Sequence, residues 1–351
     1  MANCHKFGDY TGYEPINVPG LKKKSKLTRR SWMPLLEDNE KGHESRQQHV
    51  TPHIGTKAKP AVLTRAEIDS RVVPPPRYRY SREALEVTER LRATAESDET
   101  KIMIEFFDNK LDVAVAVIET VATTLLLGYE ETLSYVVALT AGDYDALILA
   151  WKEKVAYDAV RPTTWIQEEM AEHKFTTYAG AFKGVRDIKG KNFESYVRVM
   201  PHSEYVSGSA CICQALMELT DRWVDLHGGD SASLQIPIPK LSNPTFPAGS
   251  SRTEPGVTPA RDITKVLQGM QELRDICGES RLDGGMHFAK SVTASYGLCN
   301  GVGTAAADYA YALSGGGNFS TTSYEPGNGP GTAVADAYAY AYALSGGGYF
   351  K

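Results

Sequence analysis

The alternation of apolar and polar residues changes character near position 80. From there the segment "SREALEVTERLRATAES" opens on a Ser start signal and interleaves charged residues with Leu85, Val87 and Leu91, a helical pattern. The same reading predicts helices at about 101–127, 129–139, 143–156, 207–226 and 260–275, with another around 286–312. Convincing runs of period 2 are lacking, so the bulk is expected to be all-α. The most apolar stretch, Leu111 to Gly128, carries Asp112 and Glu119 and falls short of a comfortable span of ~20 apolar residues. It reads as a buried core helix, and no membrane span is expected.

Either side of this region the punctuation differs. Residues 1–80 are rich in Pro, Gly, Lys and His, with the tripeptide Pro74-Pro75-Pro76, and are expected to form an extended, irregular arm laid over the core. The Pro- and Gly-rich stretch from Ile236 to Pro259 reads as a long loop of the kind that covers or serves a site. Near the end, "YALSGGGNF" (Tyr311 to Phe319) recurs as "YALSGGGYF" (Tyr342 to Phe350). Two copies are too few for a solenoid, which needs about three or more. The expected organisation is therefore an arm over 1–80, a helical domain over 81–312 and a Gly-rich tail over 313–351.

Composition narrows the function classes. At 351 residues the chain can bury a sizeable core, and 23% charged with 42% apolar residues is ordinary for a globular protein. A net charge of −5 supplies no global field for a phosphate backbone, so no nucleic-acid partner is expected. The one basic run, Leu21 to Arg30, reads as a solvated loop. The five cysteines include Cys211-x-Cys213, whose single intervening residue is poor zinc-ribbon spacing, and buried thiols are expected. The first twenty residues show no apolar signal core, which makes a cytoplasmic location the default expectation.

Three clusters can meet an anion. In "WKEKVAYDAVRPTTW", Lys154 and Arg161 are seven apart, two turns along one face if the helix continues, and Pro162 limits that helix. In "MPHSEYVSGSACICQALMELTDRW", Ser207-Gly208-Ser209 stands where a polar run becomes a helix. It offers unpaired N–H groups, the positive end of the helix dipole and a hydroxyl. In "SRLDGGMHF", Arg281 supplies a planar donor fork, and His287 follows a Gly-Gly bend that frees the backbone to aim it. Each alone also fits an ordinary role: a solvated basic edge, a Ser cap, a structural histidine. His5, His43, His49, His53 and His173 lack any context that lifts them above that role, and His227 reads as a helix end.

Taken in order, Lys-x6-Arg-Pro, Ser-Gly within Pro-x-x-Glu-Tyr, and Ser-Arg-x5-His resemble the vanadium-dependent haloperoxidases and their relatives, the type-2 phosphatidic acid phosphatases. "QQHVTPHIG" (Gln47 to Gly55) and "PPPRY" (Pro74 to Tyr78) are similar to the leader of algal and bacterial members, so the resemblance covers most of residues 10–310. It implies an all-α helical bundle whose helix ends hold vanadate or phosphate. Lys154, Arg161 and Arg281 would neutralise the oxyanion, with the Ser207 hydroxyl and the Gly208 N–H, and His287 would be the axial ligand to vanadium or a phosphatase nucleophile. His202 falls where chloroperoxidases of the family carry Phe and bromoperoxidases carry His.

The departures decide between readings. The family has His where this chain has Ser209, Asp four residues after the axial His where it has Ser291, and Pro where it has Val206. General acid–base groups are each worth roughly 10²–10⁴-fold, so a phosphatase loses most from these changes. A peroxidase leans more on the Lewis acidity of its metal, and His202 is a candidate substitute proton carrier. The expectation is thus a haloperoxidase-like protein that uses vanadate, hydrogen peroxide and bromide or iodide, with a small organic acceptor. Catalytic candidates are His202, Ser209 and His287. An acid phosphatase-like phosphomonoesterase, or a silent oxyanion-binding relative, is the alternative, and whether the chain forms a homodimer stays open.

Overall fold

The computed structural model describes residues 29–38, 44–47 and 49–315. The Gly-rich repeats beyond 315 and most of the basic run lie outside them. Helices dominate, as expected. Helix α1 (Ile54–Lys57) and α2 (Arg65–Ser70) belong to the arm; α3 (Tyr80–Ala95), α4 (Asp98–Asp108), α5 (Lys110–Thr124), α6 (Tyr129–Tyr157) and α7 (Pro162–Glu169) follow. Then come α8 (Gly208–Leu226), α9 (Gly269–Asp283), α10 (Ala289–Cys299) and α11 (Val302–Leu313). Helix α8 is the hub, packed by α6, α9, α10 and α11. Trp223, Leu216 and Leu219 of α8 meet Tyr135 and Leu139 of α6 and Val113, Val117 and Val121 of α5 in one core cluster.

Several boundaries differ from the sequence reading, each for a local reason. The helix expected over 101–127 is two, because Asn109 is extended (φ −95°, ψ 100°) and its side chain caps α5 by accepting from Leu111 N. The pair expected at 129–139 and 143–156 is one 29-residue helix. One interior glycine, Gly142, costs about 1 kcal/mol, and burial of α6 against α8 and α11 offsets it. Residues 260–275 are not one helix: β7 (Ile263–Gln268) precedes α9. Around 286–312, Asn300 and Gly301 (φ 81°) separate α10 from α11.

Short strands also occur among the described residues. Strands β1 (Leu36–Asp38) and β2 (Glu44–Arg46) pair antiparallel, as do β3 (Lys174–Tyr178) and β4 (Val185–Lys189). Strands β5 (Gln235–Ile238) and β6 (Thr245–Phe246) flank β7 in a three-stranded antiparallel sheet, so the Pro-rich loop has structure of its own. Glu105 of α4 pins that loop by accepting from Ser251 Oγ (2.6 Å) and Arg252 N (2.6 Å).

The arm is fastened to α6 by specific polar contacts. Asp145 accepts from the N–H groups of Ala61, Val62 and Leu63 at 2.7–2.9 Å. Trp151 Nε1 donates to Val50 O (2.8 Å), and Tyr205 donates to Val73 O (2.9 Å). The arm therefore forms part of the wall behind α6 and the loop that leads into α8.

The cysteine expectation is corrected. Cys211 is disulfide-bonded to Cys299 and Cys213 to Cys277. Two positions on a helix differ by about 200° in direction, so Cys211 and Cys213 point to opposite sides of α8. One reaches the end of α10 and the other reaches α9.

Candidate active site

The three anion-seeking clusters converge at the start of α8. Helix α6 ends at Tyr157, capped by Asp158 in the left-handed region (φ 43°). Arg161 is then the extended N-cap of α7, with Pro162 in the first turn. Lys154 and Arg161 are therefore not two turns apart on one helix, as their spacing suggested. They meet across the α6–α7 corner, and both are buried. The loop Pro201–Val206 closes this corner. Lys154 Nζ donates to Ser203 O (2.7 Å) and Glu204 O (3.3 Å), and Arg161 Nε donates to His202 O (3.0 Å).

Ser207 caps α8, its Oγ accepting from Ala210 N (3.3 Å), while its own N–H donates to Ser295 Oγ (2.9 Å). Gly208 follows as the first helical residue. A Cβ there would lie 3.2 Å from the Trp151 ring and 3.9 Å from Lys154 Cε, so glycine lets this helix end sit on Trp151 and Lys154. On the third side, Arg281 occupies the last turn of α9, donating to Asp108 Oδ1 (2.9 Å), Ile104 O (3.0 Å) and Ser280 Oγ (3.1 Å). Gly285 (φ 74°) then turns the chain against Leu91 and delivers His287.

His287 is the pivot. Its Nε2 lies 3.1 Å from Arg161 Nη1 and its Nδ1 lies 2.9 Å from Glu204 Oε1. A guanidinium can only donate, so Nε2 must carry a lone pair and Nδ1–H must be the donor to Glu204. Burial, then Arg161, Lys154 and Arg281, hold its pKa well below the usual histidine value, which keeps the ring neutral. Burial raises Glu204 to about 7, against the pull of Arg161 and the Phe288 N–H. Glu204 was not among the sequence candidates. The signal was present as the Glu of "PHSEY", but only the fold puts it 83 positions away beside His287. Ser291, where the family has an Asp, stands 3.4 Å from the same Nδ1 and donates to the Glu204 carbonyl (3.3 Å). The orienting carboxylate expected to be lost is thus supplied from another segment.

His202 is held on the same guanidinium. Arg161 Nη2 donates to its Nδ1 (2.9 Å), which makes Nε2–H the ring's one donor; the Ser203 carbonyl 3.2 Å from Nδ1 is then no hydrogen-bond partner. Burial and the Lys154 and Arg161 cations push its pKa well down. His49, passed over in the sequence, lies beside it with ring centroids 6.4 Å apart, and burial drops its pKa to about 3.

These groups floor a cavity of about 320 Å³, lined there by Arg161, His202, Gly208, Ser209, Arg281 and His287. Lys154 and Ser207 adjoin this floor rather than lining it. The donor set fits a tetrahedral oxyanion. Among the described residues, Lys154, Arg161 and Arg281 face only the carboxylates of Glu204 and Asp108, which leaves a buried surplus of positive charge. Lys154 has used two of its three N–H groups, and the Ser207 hydroxyl proton has no acceptor among the described residues. The α8 N-terminus adds its first N–H groups. Burial and Arg161 lower the Lys154 pKa, a cost that a bound anion relieves. Vanadate or phosphate therefore suits these residues chemically, and the lone pair of His287 Nε2 suits a ligand position.

Comparison with known proteins identifies relatives of this fold. The family model for the VCPO second helical-bundle domain matches residues 134–316. A solved structure of an apo-type bacterial vanadium-dependent chloroperoxidase matches with a TM-score of 0.76 at 26% identity, over 88% of this chain and 67% of that one. A holo-type bacterial vanadium-dependent chloroperoxidase matches with a TM-score of 0.71 at 26% identity, over 87% and 65%. A bacterial vanadium-dependent iodoperoxidase shares the fold, with a TM-score of 0.56 at 18% identity over 80% and 60%. The chain spans about two thirds of the length of the chloroperoxidases it matches. No curated protein matches it.

Proposed function

The chain belongs to the vanadium haloperoxidase-like superfamily, and on that premise we propose that it binds vanadate and oxidises bromide or iodide with hydrogen peroxide. The observation that carries this reading is the buried cationic floor around a neutral His287. Lys154, Arg161 and Arg281 would hold the oxyanion's charge, and the Ser207 hydroxyl and Gly208 N–H would bind its oxygens. His287 Nε2 would ligate the metal in place of its contact with Arg161. Bound vanadate supplies Lewis acidity towards peroxide oxygen. Glu204 keeps the His287 proton on Nδ1, so the ligating nitrogen stays unprotonated. His202, neutral and steered by Arg161, supplies a donor at Nε2 rather than a mobile proton. Its identity as His rather than Phe is what favours bromide or iodide over chloride.

One observation favours a second reading. Ser209 lines the cavity where the family carries its acid–base histidine, which suits an oxyanion-binding relative without turnover. A phosphatase gains from Glu204 but still lacks an acid for its leaving group. The two disulfides suit an oxidising compartment better than the cytoplasmic default. The arm, the helical domain and the Gly-rich tail remain the proposed division, at about 80 and 312 in the order of the helix pattern.

The test is oxidation of iodide and bromide by the purified chain with peroxide, with and without added vanadate. Vanadate-dependent turnover is expected. No turnover from folded protein would move the reading to the silent relative, and chloride oxidised faster than bromide would refute the halide assignment.

A further inference from the structure

The cavity is longer than an oxyanion needs. Along α6 its wall runs from Leu139 to Trp151, roughly 18 Å of helix. Above the charged floor the walls turn apolar, with Ala114, Val115 and Ile118 of α5 opposite Leu139 and Leu147 of α6. The mouth lies at the α4–α5 junction, where the lining residues Leu111 and Asp112 are exposed. A peroxide molecule and a halide ion do not require an apolar corridor.

Within that corridor stand two ionisable residues that the oxyanion chemistry does not use. Asp143, on α6, lines the cavity and makes no hydrogen bond among the described residues; its Oδ1 is buried without a partner. Among the described residues no hydrogen bond and no close ion pair explains it structurally. Lys110, the first residue of α5, lines the same cavity, donates to Phe107 O and is the nearby opposite charge that Asp143 senses. Buried polar groups normally have partners, so an orphaned carboxyl oxygen beside a cavity points to a ligand that supplies one.

We propose that this corridor binds a neutral, mostly apolar organic molecule through a single hydroxyl group held by Asp143 and Lys110, a phenol being the compact example. The charge pattern selects that class. A cationic amine would be repelled by the surplus of Arg and Lys at the floor. A carboxylate would be drawn past the corridor to the floor itself. A hydroxyl both donates and accepts, so it can satisfy the Asp143 oxygen and the Lys110 N–H together. The apolar walls then take the ring, and the cavity as a whole, floor included, has a volume of about 320 Å³, which leaves room for one small aromatic at most. On the haloperoxidase reading, on which only its catalytic meaning rests, the bound molecule would be the acceptor, held between mouth and floor.

Binding can be measured without that chemistry. Titrating the purified full chain with 4-methylphenol, in the absence of vanadate and peroxide, should give saturable single-site binding by calorimetry or ligand-observed NMR. Toluene, which lacks the hydroxyl, should bind at least tenfold more weakly. Asp143→Leu should remove that preference and weaken 4-methylphenol at least tenfold. Ala114→Phe, which fills the corridor while keeping the carboxyl, should abolish binding of both, and it serves if the first variant does not fold. Absence of saturable binding, equal affinity for toluene, or an unchanged affinity in Asp143→Leu would each overturn the proposal. If 4-methylphenol binds as expected while no halide is oxidised, the haloperoxidase reading fails and the site stands.

Discussion

Glu204 Oε1 and His287 Nδ1 are 2.9 Å apart although 83 positions separate the two residues, and both side chains are buried. The contact fixes the tautomer of the one histidine whose other nitrogen faces the charged floor. Partners behind a ligating histidine typically carry 10–100-fold of metal affinity. Glu204→Gln should therefore weaken vanadate binding by about 10–100-fold while leaving the far-UV spectrum unchanged. A lower Tm is expected as well, since the carboxylate facing the buried Arg161 and Lys154 cations is lost. Unchanged vanadate affinity would show that the carboxylate only fills space.

Arg281→Ala should abolish vanadate binding and leave a folded protein. Hydrogen bonds to charged groups contribute about 1.5–3 kcal/mol each, so losing two of them costs roughly 10²–10⁴ in affinity. Asp108, its ion-pair partner, is 22% exposed and can be rehydrated. Vanadate affinity by equilibrium dialysis and thermal melting together check this, and an unchanged affinity would sink the cradle.

Ser209→His restores an imidazole where the helix N-terminus meets the cavity. Acid–base groups contribute about 10²–10⁴-fold, and a partly substituted site recovers less, so a rise in kcat of about tenfold or more is expected. Stopped assays of iodide oxidation decide it. A variant no faster than the parent would mean that no proton-handling role is open at that position.

Disulfides staple the cradle from both sides, since Cys277 is four residues before Arg281 and Cys211 is two after Ser209. Their sequence separations of 88 and 64 make them strong constraints on the unfolded chain. Losing such bridges typically costs about 2–5 kcal/mol each. Thiol reduction should lower the Tm and weaken vanadate binding in parallel. Reduction that lowers the Tm with vanadate affinity intact would separate the bridges from the site.

Asp143 sets a pH dependence. Burial raises its pKa to about 8 in the folded protein from 3.8, with Lys110 partly opposing the shift. A carboxyl raised in the folded state is fully stable below its unfolded pKa, and stability is lost as pH rises towards the folded value. Asp143→Leu should therefore be more stable than the parent, by a gap that widens between about pH 4 and pH 8 to a few kcal/mol. Denaturant melts at several pH values read the gap directly, and a gap independent of pH would mean that the carboxyl is not desolvated.

Local chemistry made much of this protein legible from its residues alone. Helical periodicity, the Ser207 cap and the Pro162 stop are properties of neighbouring residues, so α8 and the α6–α7 corner could be read directly, as could the cationic character of Lys154, Arg161 and Arg281. What sequence could not decide was set by packing between distant segments. Asn109 splits a helix because its own side chain caps the next one, whereas Gly142 does not split α6 because burial outweighs its cost. The i, i+2 cysteines find partners 64 and 88 positions away only because α8 is surrounded by helices. Asp143 carries no local pattern at all, and Glu204 has only its place in Pro-x-x-Glu-Tyr. Their roles depend on which buried groups they face and which they lack, and only the tertiary fold determines that.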